Sequence, residues 1–322
     1  MGKFEYDGGI SAPNKYVMTI VAGNLNYIGG GGAVPLQSGS EIETGWGNSG
    51  GTMSVGDATK PLPNSLSIIF FSYLEDQFYR GDFELPYEKL LKLFQQGYYS
   101  NNDHKQVTYN EIVVGVAPGG AVAVWAEGFD KYTEVFFGQA EKIKGDWSMI
   151  TRNPMPRKEY IYESLLDSLG TPEAVAAMQK KGPPVGLWSK YRTRYAWQPE
   201  FTNIKLRDGV IYGIRYFNGE FGDIKYPIES SEATQTRIVP KDMNFVWAKS
   251  EHDGRVIKLH FDETEIWSAF EKLGSQHQPL KLEIRADMVN GAPRFSVWLH
   301  NDKDKLELKH TKMEEFGAGP KM

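Results

Sequence analysis

Apolar residues along this chain gather in short β-type runs separated by Gly, Pro, Asn and Ser, interrupted by a few stretches with helical spacing. Residues 16–22 read as a strand and 66–73 as a second, rich in β-branched and aromatic side chains. Between them, residues 29–56 carry many Gly and Ser and few apolar anchors, so they read as one long loop with Trp46 in its middle. Residues 85–94 have an amphipathic helical period, with Pro86 suited to the first turn and Gly97 to the stop. Residues 111–116 and 121–125 flank Pro118-Gly119-Gly120 and predict a β-hairpin, with residues 132–137 supplying one more strand.

The second half repeats the order. Residues 244–247 read as a strand, Asp253-Gly254 as a turn, 255–261 as a strand and 263–273 as a helix stopped by Gly274. Residues 282–286 and 294–299 then form a hairpin across Asn290-Gly291-Ala292-Pro293. Both hairpins end in Val-Trp, at Val124-Trp125 and Val297-Trp298. The fold class this predicts is α+β. It consists of two tandem, duplicated modules at 1–150 and 191–322, each an antiparallel sheet with a packed helix. Residues 151–190 hold two helical runs, 159–169 and 172–181, ended by Gly182-Pro183-Pro184, and read as a helical connector.

Composition narrows the chemistry. With 322 residues and no cysteine, the chain can bury real cores, and disulfides, thiolate metal sites and cysteine nucleophiles are excluded. Net charge is -5. Residues 1–150 hold 10 basic and 17 acidic side chains, leaving 26 and 24 for residues 151–322 out of totals of 36 and 41. That balance argues against a phosphate-binding surface and hence against nucleic acid as a partner. Met1-Gly2-Lys3 runs into Phe4-Glu5-Tyr6 without an apolar signal core, which fits a cytosolic chain or a mature exported one.

Catalytic signatures fail one by one. Gly45-Trp46-Gly47-Asn48-Ser49-Gly50 matches a dinucleotide-binding spacing, but lacks the strand before and the helix after that such a site needs. Gly47-Asn48-Ser49-Gly50-Gly51 is similar to the surroundings of a chymotrypsin-type serine, yet that family's histidine precedes the serine and the first histidine here is His104. The six histidines show no metal-binding spacing, so no metal and no cofactor is expected. A carboxylate pair from Glu75, Asp76, Asp82, Glu84, Asp103 and Glu111 is the remaining route to catalysis, of the glycosidase kind. Several aromatics fall in predicted loops: Trp46, Tyr98, Tyr99, Trp188, Tyr191, Tyr195 and Trp197. Such residues serve as anchors in protein interfaces or as stacking platforms for sugars.

Ser11-Ala12-Pro13-Asn14-Lys15-Tyr16, the run from Phe71 to Tyr79, Leu85-Pro86 at a helix start and the run from Val114 to Trp125 together resemble an uncharacterised family of bacterial envelope lipoproteins. Some of its members stand beside type VI secretion phospholipase effectors as their immunity proteins. The resemblance covers residues ~10 to ~140, and ~195 to ~315 only through the second copy. It implies a non-enzymatic immunity protein that binds a cognate lipase toxin in the periplasm and blocks its lipid entrance sterically. It also implies a lipid anchor, with a lipobox cysteine that would lie ahead of Met1, as the only link to a membrane. The residues expected to bind the partner are our own reading: Trp46, Tyr98, Tyr99 and Trp197 as anchors, and Glu41, Glu43 and Asp103 as steering charges. A carbohydrate- or peptidoglycan-binding envelope protein using the same aromatics is the alternative.

Overall fold

The computed structural model describes all residues except 1, 102, 205, 207–210, 226–234, 249–253, 276–277, 290–291 and 318–322. His252, His277 and the predicted turn residues Asp253, Asn290 and Gly291 lie outside the described residues. The protein is mixed α+β and mostly sheet. Its strands are β1 (Lys3–Glu5), β2 (Asp7–Ser11), β3 (Met18–Tyr27), β4 (Ala33–Pro35), β5 (Glu41–Ile42), β6 (Thr52–Met53), β7 (Thr59–Pro61), β8 (Pro63–Ser72) and β9 (Gln77–Glu84). After helix α1 (Tyr87–Gln96) come β10 (Tyr98–Ser100), β11 (Lys105–Val107), β12 (Glu111–Ala117), β13 (Ala121–Glu127), β14 (Tyr132–Gln139) and β15 (Glu141–Ile143). Helices α2 (Arg157–Leu169), α3 (Pro172–Lys181) and α4 (Leu187–Lys190) follow. Then come β16 (Arg194–Thr202), β17 (Ile211–Tyr216), β18 (Phe221–Lys225), β19 (Thr236–Ile238), β20 (Pro240–Ala248) and β21 (Gly254–His260). The chain closes with α5 (Glu263–Gly274), β22 (Leu280–Val289), β23 (Ala292–His300), β24 (Lys305–Glu307) and β25 (Lys312–Gly317).

Two compact units result: Met1–Trp188 with Asn218–Glu220, and Ser189–Phe217 with Phe221–Met322. In the first, one row of strands runs β6-β2-β12-β13-β14 and another β4-β3-β8-β9-β15. The β2–β12 pair is parallel and all the other pairs antiparallel. Ile112, Val114, Val122 and Val124 from one row share a core with Ile20, Ile68, Phe70 and Tyr79 from the other and with Leu90 and Phe94 of α1. Burial of both faces explains the unbroken apolar runs of β12 and β13. Their other face is closed by Trp46, whose ring centroid lies 5.0 Å from that of Trp125 and 5.2 Å from that of Trp188. Gly115 makes the slot: a Cβ there would stand 2.5 Å from Trp125 and 3.1 Å from Trp46. Trp125 and Trp188 donate their indole N–H groups to the carbonyls of Asn218 (3.1 Å) and Pro118 (3.0 Å).

The expected connector is corrected. Ile161, Leu165 and Val175 of α2 and α3 pack with Val17, Phe71, Tyr73 and Phe78 in a second core of the first unit, so these helices complete that unit. An amphipathic stripe on each helix had to be buried somewhere, and the outer face of β8 and β9 was the apolar surface available. Thr171 caps α3 by accepting the Ala174 N–H (3.2 Å), and Gly182 ends it.

In the second unit the rows run β19-β16-β22-β23-β24 and β18-β17-β20-β21-β25. Here β16–β22 is the parallel pair and the other pairs are antiparallel. Asp262 caps α5 by accepting the Glu265 N–H (2.9 Å), and Ile266, Trp267, Phe270 and Leu273 of that helix are buried. Each unit therefore has two rows of strands and one parallel pair, where the sequence predicted a single antiparallel sheet. Among the described residues, ten strands and one helix of each unit agree in chain order and pairing, while β1, β5, β7, β10 and β11 of the first have no counterpart. β2, β3, β4, β6, β8, β9, α1 and β12–β15 of the first match β16–β21, α5 and β22–β25 of the second.

Candidate functional site

The residues predicted as a binding surface separate into distinct places. Trp46 is 7% exposed and Trp197 is fully buried, donating its indole N–H to the Ile238 carbonyl at 2.9 Å. Neither ring can reach a partner, which corrects their expected role as anchors. Trp188 and Tyr191 are buried too, and Tyr195 is half-buried, 5.4 Å from the Phe270 ring. Glu41 accepts a hydrogen bond from Ser164 (2.7 Å), and Glu43 one from Ser168. Both carboxylates thus hold α2 in place, whatever charge they present to solvent.

Tyr98, Tyr99 and Asp103 do come together, on one hairpin. β10 and β11 pair Tyr98 with Val107 and Ser100 with Lys105, with His104 in the left-handed region (φ 53°) at the turn. Two bonds fix the hairpin to the end of α1: Gln106 donates to the Gln96 carbonyl (2.6 Å) and Thr108 to that of Phe94 (2.7 Å). Ser100 is the hub. Its hydroxyl donates to the buried Asp130 carboxylate (2.8 Å) and accepts the Asp103 N–H (3.2 Å). This joins the hairpin to the β13–β14 loop, which the Gly128 N–H closes on the Lys131 carbonyl (2.9 Å).

Tyr98 lies inward, 5.2 Å from the Tyr109 ring. It also crosses the backbone of Gly128 so closely that a Cβ there would stand 2.2 Å from its hydroxyl oxygen. Burial, and then the Asp130 carboxylate beside it, raise the Tyr98 phenol above its ordinary value, so it stays protonated and can donate. Tyr98 is therefore a brace. Tyr99 is 48% exposed, and Phe129, on the loop that Ser100 holds, is 78% exposed. Phe129 was missed in the sequence, although Gly128-Phe129-Asp130 carries a signal: an aromatic at the tip of a tight turn has no neighbour against which to bury itself. Tyr99 and Phe129 are thus two exposed rings on two loops that the Ser100–Asp130 bond ties together, with Asp103 exposed at the hairpin turn.

A family model described as a protein of unknown function (DUF2931) matches residues 1–186. The chain belongs to the DUF2931 family. The match ends within two residues of the first unit's own boundary at Trp188, so the family model and that unit are nearly the same object. Comparison with curated proteins and with solved structures found no match. Among the described residues of this DUF2931 chain, no helix is long and apolar enough to cross a membrane.

One polar cluster in the second unit also has the makings of a centre. Glu200, Glu283 and His300 bring a ligand atom each within 4.8 Å of one another, a grouping the sequence spacing did not reveal because β16 lies far from the β22–β23 hairpin in the chain. Their lone pairs are already engaged. Lys281 bonds Glu200 (2.8 Å), His300 bonds its other oxygen (3.1 Å), and Arg285 (3.1 Å) and Lys305 bond Glu283. Burial alone would raise the Glu283 carboxyl, but hydrogen bonds from Lys305, Thr202 and Arg285 outweigh it and bring the value down to about 2. Two carboxylates already matched by two lysines and an arginine form a structural ion network, and a divalent cation would have to displace them.

Proposed function

We propose that this DUF2931 chain is a binding protein of the bacterial periplasm, lipid-anchored in its precursor, that neutralises a type VI secretion phospholipase or lipase toxin as its immunity partner. The observation that carries the reading is the pair of exposed rings, Tyr99 and Phe129, on loops locked together by the buried Ser100–Asp130 hydrogen bond. Exposed aromatics on rigid loops bind without a large ordering cost, so they suit an inhibitor that must hold a toxin tightly. In this mechanism the two rings enter the apolar mouth through which a lipase admits its substrate, and the surrounding surface excludes lipid. A tight complex needs about 1,600 Å² of total buried area, more than the two rings supply, so the remainder of the contact comes from the rim around them. The carbohydrate-binding alternative loses two of its proposed stacking platforms to the burial of Trp46 and Trp197.

We also infer that the second unit arose from the first by duplication, because chance does not readily reproduce ten strands and a helix in one order and pairing. The functional experiment assays the products of the genes beside this chain for hydrolysis of phosphatidylethanolamine–phosphatidylglycerol vesicles and adds the chain to any that is active. Equimolar chain should abolish hydrolysis and co-elute with the enzyme. Undiminished hydrolysis with separate elution would contradict the proposal.

A further inference from the structure

Thr311 closes the turn between β24 and β25, its N–H meeting the Leu308 carbonyl at 3.5 Å. Its hydroxyl is shut off from solvent and has no hydrogen-bond partner among the described residues. A buried hydroxyl in that state is costly, so it marks a place where a polar group from outside the chain gains a bond. Thr311 lines a trough of about 700 Å³ in the second unit, within the size range of ligand sites.

The backbone adds polar groups to the same trough. β24 pairs with Trp298, Leu299 and His300 of β23, and the Leu308 N–H meets the Val297 carbonyl (2.8 Å). Backbone groups alternate along a strand, so those of Phe295, two residues earlier, point the same way, and Phe295 lines the trough. Four charged side chains also line it, and their signs cancel: Arg294 stands opposite Asp287 on β22, Glu307 opposite Trp298, and Lys309 just beyond. A lining without net charge gives no advantage to a phosphate, a carboxylate or an ammonium group.

Trp298 supplies the one large aromatic surface with a polar surround. Its indole N–H donates to the Ser296 hydroxyl (3.0 Å), which orients the ring, and both residues line the trough. Lys305 holds one face of that ring, its Nζ 4.9 Å from the centroid, and lies outside the trough, so the ring surface turned to the trough is not taken by the ammonium.

We propose that this trough binds a short saccharide without net charge. The sugar rests its C–H face on Trp298 and exchanges hydrogen bonds with the Thr311 hydroxyl, the Phe295 backbone and the balanced charges of Asp287, Arg294, Glu307 and Lys309. An aromatic ring amid donors and acceptors of both signs matches a ligand that is apolar on its faces and hydroxylated at its rim. The site is in the second unit and uses none of Trp46, Trp197, Tyr99 and Phe129.

The test titrates the full chain with the tetrasaccharide of N-acetylglucosamine, with cellotetraose and with maltotetraose, read by tryptophan fluorescence and calorimetry. At least one should bind saturably at 1:1 with a Kd below about 1 mM. Thr311→Val, which keeps the shape and removes the hydroxyl, should weaken that binding by about fivefold or more, and Trp298→Ala by about tenfold or more. The Tyr99→Ala, Phe129→Ala double variant should bind the sugar as the parent does, which separates this site from the proposed toxin surface. Thr311→Val reads the site even if Trp298→Ala disturbs folding. No saturable binding of any of the three sugars up to about 10 mM, or binding that Thr311→Val leaves unchanged, would overturn the proposal.

Discussion

Replacing Trp46 with alanine separates the two roles that a tryptophan in a glycine-rich segment can have. The ring is 7% exposed, meets Trp125 edge-on (5.0 Å, 87°), leans on Trp188 (5.2 Å, 39°) and fills the slot left by Gly115. Truncating a buried tryptophan costs about 3–5 kcal/mol, a figure that combines lost transfer energy with the cavity left behind. Trp125 and Trp188 are held by their own hydrogen bonds and cannot collapse freely into the space, which favours the upper half of that range. For a unit the size of Met1–Trp188, each kcal/mol shifts the melting temperature by roughly 2–4 °C, so Trp46→Ala should lower it by roughly 8–20 °C. Near-ultraviolet circular dichroism of the full chain follows the transition, because the touching indoles of Trp46, Trp125 and Trp188 contribute to that signal. A melting temperature within about 2 °C of the parent would refute the packing argument and return Trp46 to the surface.

Other variants test the remaining contacts. Ser100→Ala leaves the Asp130 carboxylate buried without its hydroxyl donor and should cost about 1–3 kcal/mol in denaturant unfolding, with faster amide exchange in β10 and β11; unchanged exchange would mean the hairpin is braced otherwise. Arg157 lies 5.0–5.7 Å from the rings of Trp147, Phe71 and Phe78 and bonds Asp76, so Arg157→Lys should cost about 1 kcal/mol despite keeping the charge. Equal stability of the two would remove the planar guanidinium from the account. Glu283 is depressed from 4.5 to about 2, so its contribution is complete above pH 4.5 and is lost as the pH falls through about 2. Glu283→Gln should therefore lower stability at pH 7 and flatten its decline between pH 4.5 and 2. A decline as steep as the parent's would assign the acid sensitivity to other carboxylates.

Local signals in the sequence located the elements that carry their own boundaries. Thr171 and Gly182 frame α3 at the predicted residues, Asp262 opens α5, and the apolar runs around Pro118-Gly119-Gly120 make β12 and β13. Strands defined by distant partners were not legible. β2 reads Asp-Gly-Gly-Ile-Ser and has no alternation; it is a strand because β12 lies parallel to it and β6 antiparallel. β9 is polar along much of its length, and β16 contains Pro199, so neither resembles a core strand until its neighbours are known.

The site divides in the same way. Tyr98, Tyr99 and Asp103 are adjacent in the chain and were found together. Burial of Trp46 depends on Gly115, far along the chain, and that of Trp197 on its place in β16, neither of which has a local signature. Phe129 is tied to the hairpin through the Ser100–Asp130 bond, across 30 residues, and through Tyr98 packed on Gly128, contacts between segments that local pattern does not connect.

The most direct measurement is calorimetric titration of the products of the genes beside this chain, a lipase-type one first, with the parent and with the Tyr99→Ala, Phe129→Ala double variant. Proposed recognition through the two exposed rings predicts a saturable 1:1 isotherm for the parent and a loss of about 2–4 kcal/mol of binding energy in the variant, with the melting temperature unchanged. Equal affinity for parent and variant, or no heat from either, would contradict it.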